Sequence, residues 1–300
     1  SRIPSVSNYK ELLSFSWPLL FTAILGSIMG WTDTFMLGYF LDSTQVGIYN
    51  AALPTAILLT TFLAAINKII FPVMSELISK DKLEELENTY QIATKWIISF
   101  TFPLFLMLVL FSRQILTFLF GSKYAAGYLV LSVLALAYFL NTAVGSAGQV
   151  LKSKGKTKLM LVNSTLSASI NVVLNFFLIQ HYGLIGAAIA TASSIIFLNL
   201  IMLAENKIFL DIQPYKPSIY KPIISAIISA TVTYYIFQTL FTPVPGLLFI
   251  PAFIVFMALY SFTFLAFRGL GSEDILVLKA VERKTGIKIE WLRNLIKGFL

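Results

Sequence analysis

The chain has 300 residues, of which 57% are hydrophobic and only 12% are charged, whereas a soluble domain carries about 25% charged residues. This composition excludes an ordinary soluble domain and predicts an integral membrane protein. The absence of cysteine excludes disulfides and thiol catalysis, and the single histidine, His181, excludes a multi-histidine metal site. The net charge of +8 is explained by basic membrane loops rather than by a nucleic-acid partner, and we predict none.

Apolar runs along the chain are long enough to cross the hydrocarbon core as helices, which takes about 20 residues each. They predict an all-α membrane protein with about eight transmembrane helices, placed in the cell membrane as a multi-pass protein. The runs cover residues 12–40, 46–78, 95–112, 124–151, 159–180, 184–204, 222–241 and 247–267. The predicted units are a six-helix lobe at 1–204, a cytoplasmic linker at 205–221, a helix pair at 222–267 and a cytoplasmic tail at 268–300.

Two further segments are amphipathic and too polar to cross the membrane. Residues 81–94 place Leu83, Leu86 and Tyr90 at helical spacing among acidic side chains, which predicts a helix along the surface between two spans. The tail at 268–300 places apolar residues opposite basic ones. This pattern favours either an anionic membrane surface or docking on the protein itself.

Lysine and arginine are concentrated in alternate loops. The basic segments are those at 80–82, 152–158 and 207–221, together with the segments before the first apolar run and after the last. The intervening loops carry few basic residues. Because cytoplasmic loops hold the excess of positive charge, we predict that both termini are cytoplasmic.

Asp33 and Lys68 are ionisable residues within the first and second predicted helices. Such a group at the bilayer centre costs at least about 2.5 kcal/mol, so each needs a partner or a wet cavity. The two lie in opposite halves of the membrane, which disfavours a salt bridge between them. Tyr49 and Asn50 lie at the depth of Asp33 and can donate hydrogen bonds to it. Asp33 is therefore either an acceptor that locks the first hairpin or a carboxylate linked to a proton or cation.

Lys68 follows Asn67 near the cytoplasmic end of its predicted helix, and two interpretations are open. If the helix faces a central cavity, the ammonium group would attract the phosphate or pyrophosphate of a substrate. Otherwise the side chain snorkels toward the cytoplasmic headgroups.

Polar side chains recur every four residues in the fourth and fifth predicted helices, so each set shares one helix face. Such a stripe either hydrogen-bonds a neighbouring helix or lines a hydrophilic path. Pairs of small residues, Gly26 with Gly30 and Gly186 with Ala190, permit close helix packing. The two polar stripes are Asn141, Gly145 and Gln149, and Asn163, Ser167, Asn171 and Asn175.

Three segments carry a family resemblance. The first is GWTDTFMLGYF at 30–40, followed by VGIYNAA at 46–52; the second is GQVLKSKGKTK at 148–158; the third is 171–175 with YGLIGAAIAT at 182–191. They resemble, in this order, the opening hairpin of a lobe, a cytoplasmic turn and the following hairpin in one protein family. That family is the polysaccharide flippase branch of the multidrug/oligosaccharidyl-lipid/polysaccharide exporter superfamily, which includes MATE exporters.

The resemblance implies two lobes of helices around a central cavity, with this chain matching the second lobe and its C-terminal helix pair. The missing N-terminal lobe then belongs to a longer protein, or a second copy of the chain takes its place. The implied activity is alternating access that flips a polyprenyl- or dolichyl-linked oligosaccharide or polysaccharide precursor across the bilayer. Coupling to Na⁺ or H⁺ is compatible with it, and no cofactor is implied.

The alternative function is an ion-coupled multidrug or metabolite exporter of the MATE type. A membrane glycosyltransferase or polymerase generally needs carboxylates or histidines near an interfacial cavity, or a long soluble loop. The predicted non-cytoplasmic side offers only Asp42 and His181, so we predict no enzyme activity. The candidate substrate- or ion-binding residues are Asp33, Tyr49, Asn50, Asn67, Lys68, Asn141, Gln149, Asn163, Asn171 and Asn175.

Overall fold

A computed structural model describes residues 6–241, 246–271 and 274. This part of the chain consists of helices and short connections, without a strand, which confirms the predicted all-α class. Single 3-10 turns at Ser122–Gly127, Pro217–Ile219 and Gly246–Leu248 precede α6, α9 and α10. The helices are α1 (Val6–Phe40), α2 (Ser43–Ile57), α3 (Thr60–Ser79), α4 (Leu83–Leu110), α5 (Ser112–Phe120), α6 (Tyr128–Ala143), α7 (Ala147–Ser153), α8 (Thr157–Leu210), α9 (Tyr220–Leu240) and α10 (Phe249–Ala266).

Helix α8 is a hairpin of two antiparallel limbs rather than one straight rod. Gly183 has φ 58° and ψ −132°, which interrupts the helix between residues 157–182 and 184–210. Across the hairpin, the Asn163 side chain bonds Glu205, and the Ser167 hydroxyl donates to the Ser194 carbonyl. The described residues hold seven long apolar helices or helix pairs able to cross a membrane. Since one of these folds back, the structure supplies the eight predicted crossings.

Close packing of the hairpin depends on Gly186. A Cβ atom at this position would overlap the carbonyl oxygen of Leu178 on the other limb. The limbs can therefore approach so closely only because residue 186 has no side chain. At Gly26 and Gly30 of α1, an added Cβ atom would meet nothing within 4 Å, so no helix of the described chain packs closely against that pair.

Two predicted helices are broken. The run at 46–78 divides into α2 and α3 at Leu58 and Leu59, one turn after Pro54, where Leu59 N–H donates to the Ala56 carbonyl three residues back. The run at 124–151 divides into α6 and α7 at Gly145, which has φ +63°. A left-handed backbone of this kind is readily adopted by glycine.

Residues 83–94 are not a separate surface helix, which corrects the prediction for 81–94. They form the first three turns of α4, which runs without interruption to Leu110. Leu86, Tyr90 and Ala93 are buried in one cluster with Met74 of α3 and Val150 of α7. The amphipathic stripe was identified correctly. Its apolar face packs against neighbouring helices, so residues 83–94 belong to the helix bundle rather than to the membrane surface.

The C-terminal helices α9 and α10 pack on α4. Phe256 and Ala252 of α10 are buried with Ala230 of α9 and Met107 of α4. The Tyr260 hydroxyl of α10 donates to the Ser99 carbonyl of α4 at 2.7 Å. The amphipathic tail predicted for 268–300 lies outside the described residues beyond 271, apart from residue 274. The cytoplasmic placement of both termini stays a prediction.

Candidate functional site

Asp33 lies on α1 with its carboxylate enclosed by three hydrogen-bond donors. Its side chain is 2% exposed. Oδ2 accepts from the Tyr49 hydroxyl at 2.6 Å and from the Thr191 hydroxyl at 2.5 Å, and Oδ1 accepts from Asn175 Nδ2 at 2.7 Å. We call Asp33, Tyr49, Asn171, Asn175 and Thr191 the Asp33 cluster.

Separate elements bring these donors together. The short turn between α1 and α2 places Tyr49 beside Asp33, and the Asp42 carboxylate caps α2 by accepting from the Gln45 backbone N–H at 2.9 Å. The α8 hairpin supplies the other two donors, Asn175 from its first limb and Thr191 from its second. The predicted contact of Tyr49 with Asp33 is present.

Asn50 does not reach Asp33, which corrects that prediction. Its side chain is exposed, and its Oδ1 accepts from the Thr34 hydroxyl at 2.9 Å. Positions 49 and 50 point to different sides of α2, because successive helical residues lie about 100° apart. Only Tyr49 therefore faces the carboxylate.

Asn171 extends the cluster behind Thr191. Its Nδ2 donates to the Thr191 hydroxyl at 3.1 Å and lies 3.5 Å from the Ser194 hydroxyl. The Oδ1 atoms of Asn171 and Asn175 are buried and have no hydrogen-bond partner within the described structure. Buried acceptors without a donor are unfavourable. The cluster thus contains two buried amide oxygens that no donor reaches.

All the hydrogen-bond donors to Asp33 are neutral. An ionised carboxylate inside a membrane is costly without a counter-charge, and neutral donors offset only part of that cost. A proton would remove the charge, and a small cation would balance it. Oxygen atoms of carboxylate, amide and hydroxyl groups suit hard cations such as Na⁺.

The remainder of the Asn163 to Asn175 stripe joins the two limbs of α8. Asn163 Nδ2 donates to both carboxylate oxygens of Glu205, at 2.8 and 2.7 Å, and both residues are buried. In the structure the stripe therefore faces helices rather than an open passage. Thr191, Ser194 and Glu205 were missed as site residues. Glu205 was assigned to a linker, although an acid at that point of an otherwise apolar helix needs a partner.

The second predicted stripe is interrupted. Asn141 Oδ1 on α6 accepts from Asn199 Nδ2 of α8 at 3.0 Å. Gln149 is half-buried on α7, beyond the break at Gly145. The interval of four residues therefore does not place Asn141 and Gln149 on one continuous helix face, which corrects that expectation.

Lys68 and Asn67 lie on α3, away from the partners of Asp33. The Lys68 side chain is exposed, and Asn67 is half-buried with an Oδ1 atom that has no hydrogen-bond partner in the described part of the chain. An exposed lysine on an apolar helix must face headgroups, water or another lobe. The structure thus brings the Asp33 cluster together and leaves Lys68 on a separate surface.

Another buried carboxylate, which sequence reasoning missed, lies near the start of the C-terminal tail. Asp274 Oδ2 accepts from Lys95 Nζ at 2.7 Å and from the Gly271 backbone N–H at 2.6 Å. Its Oδ1 accepts from Trp96 Nε1 at 2.8 Å. The side chains of Lys95 and Asp274 are 9% and 0% exposed. They border an apolar cavity of about 420 Å³ between α4 and α10.

Comparison with known proteins gives a consistent group of relatives. Residues 3–129 match the polysaccharide biosynthesis protein family. The "probable low-salt glycan biosynthesis flippase Agl15" of Haloferax volcanii is 29% identical over 191 residues, which are 64% of this chain and 40% of that protein. The chain thus spans less than half the length of this relative.

Solved structures show the same fold at lower identity. The inward closed conformation of the lipid II flippase MurJ superimposes with a TM-score of 0.68 at 19% identity, covering 88% of this chain and 55% of that one. An outward-facing MATE multidrug resistance transporter gives 0.56 at 14% identity, covering 91% and 68%. The matched family and Agl15 agree with the resemblance to polysaccharide flippases predicted from the sequence, and the solved structures show the fold. The chain is a multi-pass protein of the cell membrane.

Proposed function

We propose that this relative of the polysaccharide flippases forms one lobe of a transporter that moves a polyprenyl- or dolichyl-linked glycan precursor across the cell membrane. The observation that carries the proposal is the similarity to a glycan biosynthesis flippase over 64% of the chain, joined to a fold shared with a lipid II flippase. Transport is favoured over catalysis because the relatives are transporters.

A partner lobe is part of the proposal. Only 6% of the most apolar stretch of α1 is buried, compared with 61% of that of α4. Along α1, Ile24, Ile28 and Trp31 form part of one exposed apolar helix face. Such a surface would face either lipid or a second lobe, and alternating access requires the second lobe. The N-terminal lobe of a longer protein or a second copy of this chain would supply it.

The Asp33 cluster is the proposed site of ion coupling. Its carboxylate lacks a charged hydrogen-bond partner, and two neighbouring amide oxygens have no donor. A proton on Asp33 would remove the uncompensated charge, whereas Na⁺ between these oxygens would balance the charge and coordinate the amide oxygens as well. The donors come from α2 and from both limbs of α8. Binding of a proton or Na⁺ would therefore change the hydrogen bonds that join α1 to these helices. An ion gradient would act through that change.

We propose that Lys68 contacts the substrate. Its exposed ammonium group on α3 would attract the phosphate or pyrophosphate that links the glycan to its lipid, provided that this face of α3 borders the passage between lobes. Snorkelling to headgroups is the alternative, and Lys68→Arg and Lys68→Gln separate the two. Substrate attraction predicts flipping retained by arginine and lost by glutamine. Snorkelling predicts that glutamine changes flipping little.

The experiment that tests the proposed function measures lipid-linked glycan on each leaflet in cells that depend on the intact protein. Its loss should cause accumulation on the cytoplasmic side. Asp33→Asn should lower outward delivery about 5- to 150-fold, the usual range of coupling between sites. Asp81→Asn, at an exposed carboxylate outside the Asp33 cluster, is the matched control and should leave delivery unchanged. Normal delivery in cells without the protein would contradict the proposal.

The alternative exporter function is favoured by the shared fold with the MATE transporter. It predicts export of small organic cations that depends on Asp33, without any change in surface glycan. Measuring both outputs in the same Asp33→Asn cells distinguishes the two functions.

A further inference from the structure

The turn between α7 and α8 concentrates positive charge at one end of the α8 hairpin. Lysine occupies every second position, at Lys152, Lys154, Lys156 and Lys158. Lys154 and Lys158 are exposed, and the other two are half-buried. We call residues 152–158 the basic turn. Its shape depends on Gly155, whose φ of +76° favours glycine.

Aromatic rings position the two half-buried lysines. Lys152 Nζ lies 4.8 Å from the centre of the Phe71 ring on α3, and Lys156 Nζ lies 4.4 Å from that of Phe209 on α8. Cation–π contacts at these distances are attractive. They restrict two long side chains that would otherwise be free to rotate, so less conformational entropy is lost when a ligand binds.

A cavity of about 510 Å³ adjoins the basic turn where it meets the start of α1. Lys156 and Lys158 line it, with Phe209 of α8 and Phe15 of α1 as apolar walls. Glu11 is an acidic side chain that also lines the cavity. The opening thus combines cationic groups with aromatic surface, which suits a ligand that has an anionic head and an apolar tail.

The charge of the basic turn is not neutralised by acids in the described structure. None of its four lysines forms a salt bridge there, whereas Lys80 is paired with Glu76 and Lys82 with Glu85, at 2.6 Å each. These two pairs lie in another basic loop that the charge pattern assigns to the same side of the membrane. A location on this side of the membrane therefore does not explain why the lysines of the basic turn form no salt bridges in the described structure.

We propose that the basic turn and its adjoining cavity bind the phosphate headgroup of an anionic membrane lipid from the leaflet that faces them. The lysine ammonium groups contact the phosphate as compact point charges, and Phe15 and Phe209 contact the first carbons of the acyl chains. The site is separate from the Asp33 cluster, whose α8 donors are Asn175 and Thr191. It does not depend on the proposed transport function.

The test titrates the full chain, purified in detergent, with fluorescent phosphatidylglycerol and with phosphatidylcholine. A lysine close to an anionic lipid surface strengthens binding about fivefold. Lys156→Gln/Lys158→Gln should therefore weaken phosphatidylglycerol binding about 25-fold. Lys80→Gln/Lys82→Gln is the matched control and should stay within about twofold, because its lysines are already paired. Equal melting temperatures of the two variants establish that both fold.

Several outcomes would overturn the proposal. An equal loss of binding in both double variants would indicate attraction by net charge rather than a site. Binding that is unchanged in Lys156→Gln/Lys158→Gln, or equally strong for phosphatidylcholine, would show that the basic turn does not recognise an anionic headgroup. A third titration uses polyprenyl pyrophosphate. If it displaces phosphatidylglycerol at much lower concentration and loses this advantage in the variant, the turn binds transport substrate instead.

Discussion

Two buried carboxylates in this protein have opposite surroundings. Asp33 accepts hydrogen bonds from Tyr49, Asn175 and Thr191, all of which are neutral. Asp274 accepts from the ammonium group of Lys95, the indole of Trp96 and a backbone N–H. Both are almost inaccessible to solvent, so burial alone does not distinguish them. The difference is the counter-charge.

The counter-charge separates a structural role from a role in binding. Asp274 is already neutralised, and any further cation would have to displace Lys95. Asp33 has donors but no cation, so a proton or Na⁺ can still improve its surroundings. In a membrane interior the carboxylate that is incompletely compensated is therefore the better candidate for a changeable site. Matched changes at the two sites therefore test this contrast.

The largest expected effect follows removal of charge from the Asp274 pair. Asp274→Asn or Lys95→Met leaves one buried charge without its partner, which should lower the free energy of unfolding by about 3–5 kcal/mol. Thermal or denaturant unfolding of the chain in detergent measures it. Asp211→Asn breaks the exposed Lys207–Asp211 pair and should change stability by no more than about 1 kcal/mol. Equal effects at positions 211 and 274 would contradict the structural role.

A smaller loss is expected when the hairpin that supplies donors to Asp33 is opened. The added methyl group of Gly186→Ala would meet the Leu178 carbonyl oxygen and should cost about 1–3 kcal/mol by overpacking. The same change at Gly26, where a Cβ meets nothing within 4 Å, should be neutral or stabilise by up to about 1 kcal/mol. Unfolding free energies of the two alanine variants give the comparison. A tolerated Gly186→Ala would mean that the limbs are not so closely packed.

Asp33→Asn should change stability less than Asp274→Asn, although the substitution is the same. It removes an uncompensated charge while keeping one acceptor oxygen, and these opposite effects should leave the unfolding free energy within about 1 kcal/mol of the original. Its consequence should appear in transport instead. A loss of several kcal/mol would show that Asp33 is principally a lock on the first hairpin, and the contrast between the two carboxylates would fail.

The smallest effect concerns the cap that positions Tyr49. The Gln45 backbone N–H donates to Asp42 and holds the pKa of that carboxyl below its ordinary value. A lowered pKa contributes stability above the unfolded-state value, about 3.9, and this contribution is lost as the pH falls through the lower folded-state value. Between pH 7 and pH 3 the melting temperature should therefore fall slightly more in the original chain than in Asp42→Asn. Identical decreases would show that the cap charge contributes nothing.

Local features of the site were predictable from sequence, and distant ones were not. Tyr49 follows Asp33 by 16 residues across a short turn, so helix geometry alone places them together. Asn175 and Thr191 are 142 and 158 residues away, and periodicity within one helix cannot determine which neighbour its polar face meets. Thr191 appeared only within a family motif, without a role.

Other differences have equally specific causes. Lys95 was taken as the polar boundary of a span, because its partner at position 274 lies 179 residues away. The surface helix predicted at 81–94 became part of α4 because neighbouring helices cover its apolar stripe. The class of fold and the crossings were predictable because they depend on composition and run length. Pairing between elements depends on tertiary contacts instead.

The interruption at Gly145 has a consequence for how positions along this region are compared. A Cβ there would overlap the Thr94 hydroxyl, and the Tyr90 hydroxyl donates to the adjacent Val144 carbonyl at 2.7 Å. Thr94 and Tyr90 of α4 thus contact the break between α6 and α7. The direction in which a side chain of α7 points therefore cannot be obtained by counting helical turns from α6. Spectroscopic labels at 141 and 149, which simple helical counting would set side by side, would report different environments.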